Sequence, residues 1–383
     1  MKIGILSFIS SENNYGQMLQ CYALQTYLRN QGHDAFHVPY MPQGGGRSSV
    51  RSAVDLANYL RTYFDWQLVV NYLRKLRYSS NDSMRSFSSF RSQFLHLYGI
   101  EYRSIDDLVA EPPVADAYIA GSDQIWGASL NDSNAAGWYL RFGDTSVRRV
   151  SYAASIGRKL EKEELPVFKR YITGLDAVGV RETGAVALCG ELGVDARLNV
   201  DPTLLLSDKD YDVLADASGE SVPKKPYLFV YVLNVLYPRD MYWDKFERYV
   251  SEMELEVAPV YSSGYFSAYP IIPKREALLP TVPGWLNLLR GAQCVVTTSF
   301  HGVVFSIMFH RPFLVVLLRG KRAGGNDRVR TLLEATGLSD RIFDPRFGVA
   351  EQMGAPIDWA AVDERLSAMR ESSADYLIDS LIS

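Results

Sequence analysis

Cysteine is scarce in this chain. Its 383 residues include three, Cys21, Cys189 and Cys294. They lie far apart, are odd in number and form no CxxC pair. That excludes a disulfide framework and a cysteine-based zinc site, and suits a reducing compartment. Long apolar runs are lacking too, since none approaches the ~20 residues that span a bilayer. The opening MKIGILSFIS has one lysine and a short apolar run that passes at once into polar SENNYG. It reads as a first β-strand and not as a secretory leader, so the protein is expected in the cytoplasm. Charge of one sign is not in excess. The 40 basic and 44 acidic residues leave a formal net charge of -4, with a pI near 5.8, which argues against a general nucleic-acid binder. The phosphate loop GxxxxGK[ST] and the zinc helix HExxH are both missing, and NNYGQ has too few glycines for a dinucleotide fingerprint. The glycine-rich GGGRSSVRS follows no apolar strand, which makes it a poor phosphate loop. No metal site is visible.

What is present is an α/β rhythm. Apolar residues make up 47% of the chain, enough for substantial cores, and the length suggests two or three domains. KIGILSF is a short apolar run of the kind buried in a parallel sheet. The polar loop ISSENNYG leads into QMLQCYALQTYLRNQG, which has helical spacing and stops at Gly32. HDAFHVPY is the next strand, and a β-α-β start favours a doubly wound α/β domain. The rhythm breaks after Pro42. Between Gly46 and Arg103 there are nine Lys or Arg against four Asp or Glu, with dense aromatics. This stretch reads either as a packed helical insertion with a solvated basic face or as a surface that meets anionic lipid. Strands and helices then alternate again, and a second block begins near Lys224 with KPYLFVYVLN. The expected boundaries are 1–205 and 206–350 for two α/β lobes, about 43–110 for the insertion in the first, and 351–383 for a helical tail.

In open parallel sheets, ligands bind beyond the carboxyl ends of strands. The polar residues at those places are NNYGQ, GSDQIW, AASIG, VRE, DPT and TSFHG, six loops in two lobes that could converge on one cleft. In TTSFHGVVFSI, Gly302 lies at the start of a helix whose free N–H groups and dipole suit an anion. His301 beside it is either an acid or phosphate stabiliser or a buried ring that caps the helix. His310, at the far end of that helix, reads as structural. Arg181 ends an apolar strand. It either grips a carboxylate or phosphate through its two-pronged donor face or forms an ion pair between lobes. Asp123, Gln124 and Trp126 follow another strand and suit the polar edges and apolar face of a sugar. Alternatively Asp123 caps a helix and Trp126 is core. KRAGGNDRVR is a basic, glycine-containing loop that could close on a phosphorylated ligand.

Taken together and in order, these loops resemble the polysaccharide pyruvyl transferase family. The matching pieces are NNYGQMLQCYALQTYL, AYIAGSDQIWG, SYAASIG, VGVRE, VDPTLLL, CVVTTSFHGVVFSIMFHRPFLVV and NDRVRTLLEATGL. The resemblance covers most of the chain apart from the basic insertion and the tail. It implies two Rossmann-like lobes facing across a cleft, similar to GT-B glycosyltransferases, with the acceptor on the first lobe and the donor on the second. It implies transfer of a pyruvyl group from phosphoenolpyruvate to a sugar of a surface polysaccharide, giving a ketal, without metal or other cofactor. The sequence leaves open whether the sugar acceptor is lipid-linked, nucleotide-linked or polymeric. Apart from the resemblance, the basic aromatic composition of residues 43–110 suggests a peripheral membrane contact, and the charge balance suggests no nucleic-acid partner. On the donor side the resemblance implies Arg181, Ser299, Gly302, Asn326 and Arg328. Some members carry Arg where this chain has Ser299, and Arg328 is the candidate to supply that charge. His301 and Asp123 would be the catalytic acid and base. Asn14, Tyr15, Gln17, Gln124 and Trp126 would face the acceptor. Two other readings share parts of this pattern: a GT-B glycosyltransferase that uses a sugar nucleotide, and a non-catalytic sugar-binding protein.

Overall fold

A computed structural model of the chain describes residues 1–42, 85–235, 238–260, 272 and 277–382. Most of the basic aromatic stretch, and with it the expected membrane contact, lies outside the described residues. The described end of the expected insertion, residues 85–110, carries two short helices, Phe87–Phe94 and Ile105–Ala110.

Short apolar runs become parallel strands covered on both faces, as their lack of alternation requires. The first sheet has the order β2-β1-β3-β4, with β1 Lys2–Leu6, β2 Asp34–His37, β3 Ala117–Ala120 and β4 Arg148–Ser151. A small pair, β5 Gly179–Val180 and β6 Arg197–Leu198, continues it through single bridges from Val150 to Ala177 and from Ala154 to Val180. The second sheet has the order β10-β9-β7-β8, with β7 Tyr227–Tyr231, β8 Glu256–Val260, β9 Cys294–Thr297 and β10 Phe313–Val315. Every pairing between these strands is parallel. These are the two Rossmann-like lobes expected from the sequence.

The lobes meet through aromatic packing. Tyr15, at the start of the first lobe's helix Tyr15–Asn30, stacks on Trp285 of the second at 5.6 Å and 12°. It also meets Tyr231 edge-on at 5.8 Å, and its hydroxyl donates to the Pro280 carbonyl.

The C-terminal helix Trp359–Ile382 does not stand apart as a tail. It returns across the molecule to the first lobe. Arg370 Nε donates to the Leu204 carbonyl at 2.6 Å, and Ser373 Oγ accepts the Val200 N–H at 3.0 Å. Tyr376 donates to the Ser151 carbonyl at 3.0 Å, and Leu366, Leu377 and Leu381 enter the largest core.

His37, on β2, is fully buried with its Nε2 3.0 Å from the Cys21 carbonyl. A carbonyl only accepts, so Nε2 carries the proton of a neutral ring. Burial pushes its pKa down from 6.5 to about 4. A histidine whose folded pKa is depressed contributes stability above its unfolded pKa and loses it as pH falls through the folded one. We expect about 3 kcal/mol of stability to be lost between pH 6.5 and 4 from this ring alone. Urea unfolding at pH 7, 5.5 and 4.5 measures it, and His37→Gln should flatten the slope.

Candidate active site

The second lobe's contribution starts at the end of β9. The helix Phe300–Met308 begins there, capped by Ser299, whose hydroxyl accepts the Gly302 N–H at 3.4 Å. His301 and Gly302 are therefore inside the first turn. A Cβ on Gly302 would lie 2.3 Å from Thr297 Oγ1, so glycine lets the helix close onto the strand it leaves. These contacts make Ser299 and Gly302 builders of the turn, with the Ser299 hydroxyl and Gly302 N–H already paired to one another. Asn326 is also committed, its amide bonding both the N–H and the carbonyl of Leu318 at 2.9 and 2.8 Å. It pins the loop that delivers Arg328.

The first lobe supplies the facing charges. Arg181, at the end of β5, is 3% exposed. Its Nη1 pairs with the equally buried Asp201, whereas its Nε and Nη2 have no hydrogen-bond partner. The ion pairs of this arginine, to Asp201 through Nη1 and to Asp123 at 3.8 Å from Nη2, lie within the first lobe and not between lobes. Asp201 was not among the residues expected in the site, although its DPT turn was. Its Oδ1 accepts from Thr203 N at 3.0 Å and Thr203 Oγ1 at 2.6 Å, and its Oδ2 from Ser122 at 3.2 Å. Burial raises the Asp201 carboxyl, but His301, Arg181 and Thr203 together hold it far below the usual range.

His301 is 6% exposed, with Nε2 3.5 Å from Asp201 Oδ2 and no hydrogen bond made there. On its other side lies the first lobe's helix. A Cβ on Gly16 would fall 2.1 Å from His301 Nδ1, so the lobes touch at this ring only because residue 16 has no side chain.

Asp123 stands in the left-handed region at φ 80, just past β3. Its Oδ2 accepts from Gln17 Nε2 at 2.7 Å, and its Oδ1 lies 3.8 Å from Arg181 and 3.9 Å from Arg328. Burial pushes its carboxyl up, but Arg181, Arg328 and Gln17 outweigh that and hold it below the ordinary range. Arg328 is 18% exposed at the side chain, and its Nε is unpartnered. Both guanidiniums lie over the Phe300 ring, at 4.9 and 5.6 Å from its centre. Burial, then the neighbouring Arg181, pushes Arg328 down to about 10.

The structure thus brings His301, Arg181, Arg328, Asp123 and Gln17 together, with Asp201, Gly16 and Phe300 added. Asn14 caps the helix Tyr15–Asn30 by accepting the Gln17 N–H at 3.2 Å. Two expected acceptor residues lie elsewhere. Tyr15 is buried between the lobes, and Trp126 is core: its indole donates to the Trp138 carbonyl at 3.2 Å and stacks on Tyr139 at 5.1 Å. The 3-10 turn Ile125–Gly127 points that ring inward. Trp138 instead lines a cleft of ≈ 580 Å³, with Phe8, Tyr40, Gln124 and Asn134 from the first lobe and Asn234 from the second. Among the described residues no cluster of His, Cys, Asp and Glu could hold a metal ion, and no helix is long and apolar enough to cross a membrane.

Two parallel-sheet lobes about a cleft, with a last helix returning to the first, define a GT-B-like protein. A crystal structure of UDP-N-acetylglucosamine 2-epimerase matches it with a TM-score of 0.51 at 13% identity, covering 98% of this chain and 94% of that one. A putative UDP-N-acetylglucosamine 2-epimerase from Listeria monocytogenes gives 0.49 at 12%, covering 97% and 96%. The spinosyn rhamnosyltransferase SpnG gives 0.41 at 11%, covering 100% of each chain. At such identities the likeness is one of fold alone. No curated relative matches the sequence. The family model for polysaccharide pyruvyl transferase matches residues 14–318, and the chain belongs to that family.

Proposed function

We propose that this enzyme transfers the pyruvyl group of phosphoenolpyruvate to two hydroxyls of a sugar in a surface polysaccharide or its precursor, forming a pyruvate ketal and releasing phosphate. The observation that carries this reading is the pair of largely buried guanidiniums, Arg181 and Arg328, with unpartnered nitrogens beside an unpartnered imidazole nitrogen. Buried donors without partners are costly unless a ligand satisfies them. The donor's carboxylate and phosphate would do so.

The reaction needs a proton on the methylene carbon, which leaves positive character at C2. One sugar hydroxyl adds there and gives up its proton. The C2–O bond to phosphate breaks, phosphate taking the electron pair and one proton, and the second hydroxyl closes the ring as it loses its proton. In this reading His301 exchanges protons with the donor, while the arginines stabilise the phosphate as it leaves. Asp123 begins ionised. An incoming anion would weaken its hold on the two arginines and raise its affinity for a proton, which suits a base that accepts one from the sugar. Gln124 and Trp138 border the cleft in which that sugar would lie. We place the reaction in the cytoplasm, on a lipid-linked or polymeric acceptor.

Phosphate release from phosphoenolpyruvate, measured against lipid-linked and polymeric sugar acceptors with mass spectrometry of the products, tests the reaction. Consumption of a nucleotide sugar in its place would support the glycosyltransferase reading. Arg328→Met should weaken donor binding by about 10–100-fold, from ~1.5–3 kcal/mol per charged hydrogen bond. It should leave the melting temperature equal to wild type or higher, because Arg328 is buried beside a like charge. Calorimetric titration and thermal unfolding read the two effects.

Gly16→Ala should keep the fold and lower turnover by about 10²-fold, the scale of a 1 Å misplacement. Its methyl would displace the His301 ring. Circular dichroism and initial rates at saturating donor check this, and an unchanged rate would remove the contact from the mechanism.

A further inference from the structure

A second chamber of ≈ 320 Å³ lies against the same arginines, away from the cleft. Arg181, Asp201 and Phe300 border it on one side, and Met369 and Ser373 of the C-terminal helix on the other. Arg328 borders both the chamber and the cleft, whereas Arg181 borders the chamber and not the cleft. Asn199 also lines it. This side chain is 3% exposed, and neither its amide oxygen nor its nitrogen has a partner. Its oxygen lies over Gly179, where a Cβ would come within 2.1 Å. Such an amide, left with both groups unmet, is costly in a buried wall that is otherwise largely apolar.

We propose that the two substrates occupy separate compartments: the phosphoenolpyruvate lodges in the chamber closed by the C-terminal helix, and the sugar enters by the cleft. This rests on the donor assignment above and adds where the donor sits. The chamber offers what a small dianionic or trianionic enol phosphate requires. Arg181 and Arg328 are its cationic residues, with Nε of each making no hydrogen bond in the protein, and the Asn199 amide can accept from or donate to the head groups. Asp201 does not repel the ligand with its full charge, because Arg181, Thr203 and Ser122 already bond it. The apolar wall suits the methylene. His301 Nε2 lies 3.5 Å from Asp201, which lines the chamber, so the ring would be nearer to the donor than to the sugar. Arg328 borders both compartments, and beside it the sugar hydroxyl would meet C2. The C-terminal helix thereby becomes part of the donor site, although it lies outside the matched family region.

Titration calorimetry with phosphoenolpyruvate on the full chain tests this with four variants. Met369→Trp fills the chamber, and Ser372→Trp narrows its mouth from the helix's exposed face. Asn199→Leu removes the amide, and Ala128→Trp obstructs the cleft. We expect the first three to weaken binding at least tenfold, Asn199→Leu to do so without lowering the melting temperature, and Ala128→Trp to bind as wild type. If Ala128→Trp loses binding while the chamber variants keep it, the separate compartments are overturned and the donor reading stands. Loss in all four, or in none, also overturns them. If the wild type binds no phosphoenolpyruvate, the donor assignment falls, and this placement with it.

Discussion

His301→Ala should lower turnover by about 10²–10⁴-fold, the usual contribution of a positioned proton-transfer group, while the affinity for phosphoenolpyruvate changes little. The grip on the donor belongs mainly to Arg181 and Arg328, whose free nitrogens are the cationic donors. The imidazole is held between residue 16 and Asp201, and its Nε2 makes no protein hydrogen bond. A ring present only to fill space would instead reveal itself in stability. His301→Gln therefore accompanies the alanine variant, since it keeps most of the volume. Both should melt near wild type and turn over slowly. If Gln restores the rate, proton transfer is not the role. Rates at saturating donor, with affinity measured separately, distinguish the two.

Asp201→Asn should destabilise the protein by about 3–5 kcal/mol, the cost of removing one partner from a buried ion pair. The carboxylate is 1% exposed and receives bonds from Thr203, Ser122 and Arg181. An amide is nearly the same size but has no charge, so Arg181 is left buried without its nearer neutralising partner and with only Asp123 at 3.8 Å. The pH dependence of this pair has a definite sign. A carboxyl whose folded pKa is depressed stabilises the fold above the unfolded carboxylate range and loses that contribution only as pH falls below about 4 toward the folded value. Between pH 6.5 and 4 the larger decline comes from His37, which is fully buried. Denaturant unfolding of the variant at pH 7 measures the pair, and a midpoint like that of wild type would mean Asp201 is not what keeps Arg181 in place.

Much of this could be read along the chain. The strands were legible because a parallel sheet buries both faces and writes short uninterrupted apolar runs, such as KIGIL and YLFVY. Arg181 was legible as a cation ending such a run, and His301 by its place after one. What stayed hidden depends on where local polar groups spend their bonds. Ser299, Gly302 and Asn326 look like ligand donors in sequence, but their hydroxyl, N–H and amide are consumed by a cap and a loop clamp. Trp126 and Trp138 are both tryptophans in polar surroundings, and a three-residue turn decides which faces the cleft. Asp201 looks like ordinary turn chemistry before a proline. Its tie to Arg181 spans 20 residues, and Gly16 meets His301 across most of the chain. No local pattern encodes that contact. The return of the last helix to the first lobe is likewise a matter of tertiary packing, invisible in an amphipathic repeat.

The most direct measurement is a crystal structure of the enzyme soaked with phosphoenolpyruvate. We expect the phosphate and carboxylate within hydrogen-bond distance of Arg181 and Arg328, and the imidazole of His301 within reach of the donor's methylene or bridging oxygen. A donor bound away from both guanidiniums, with His301 turned from it, would contradict the account.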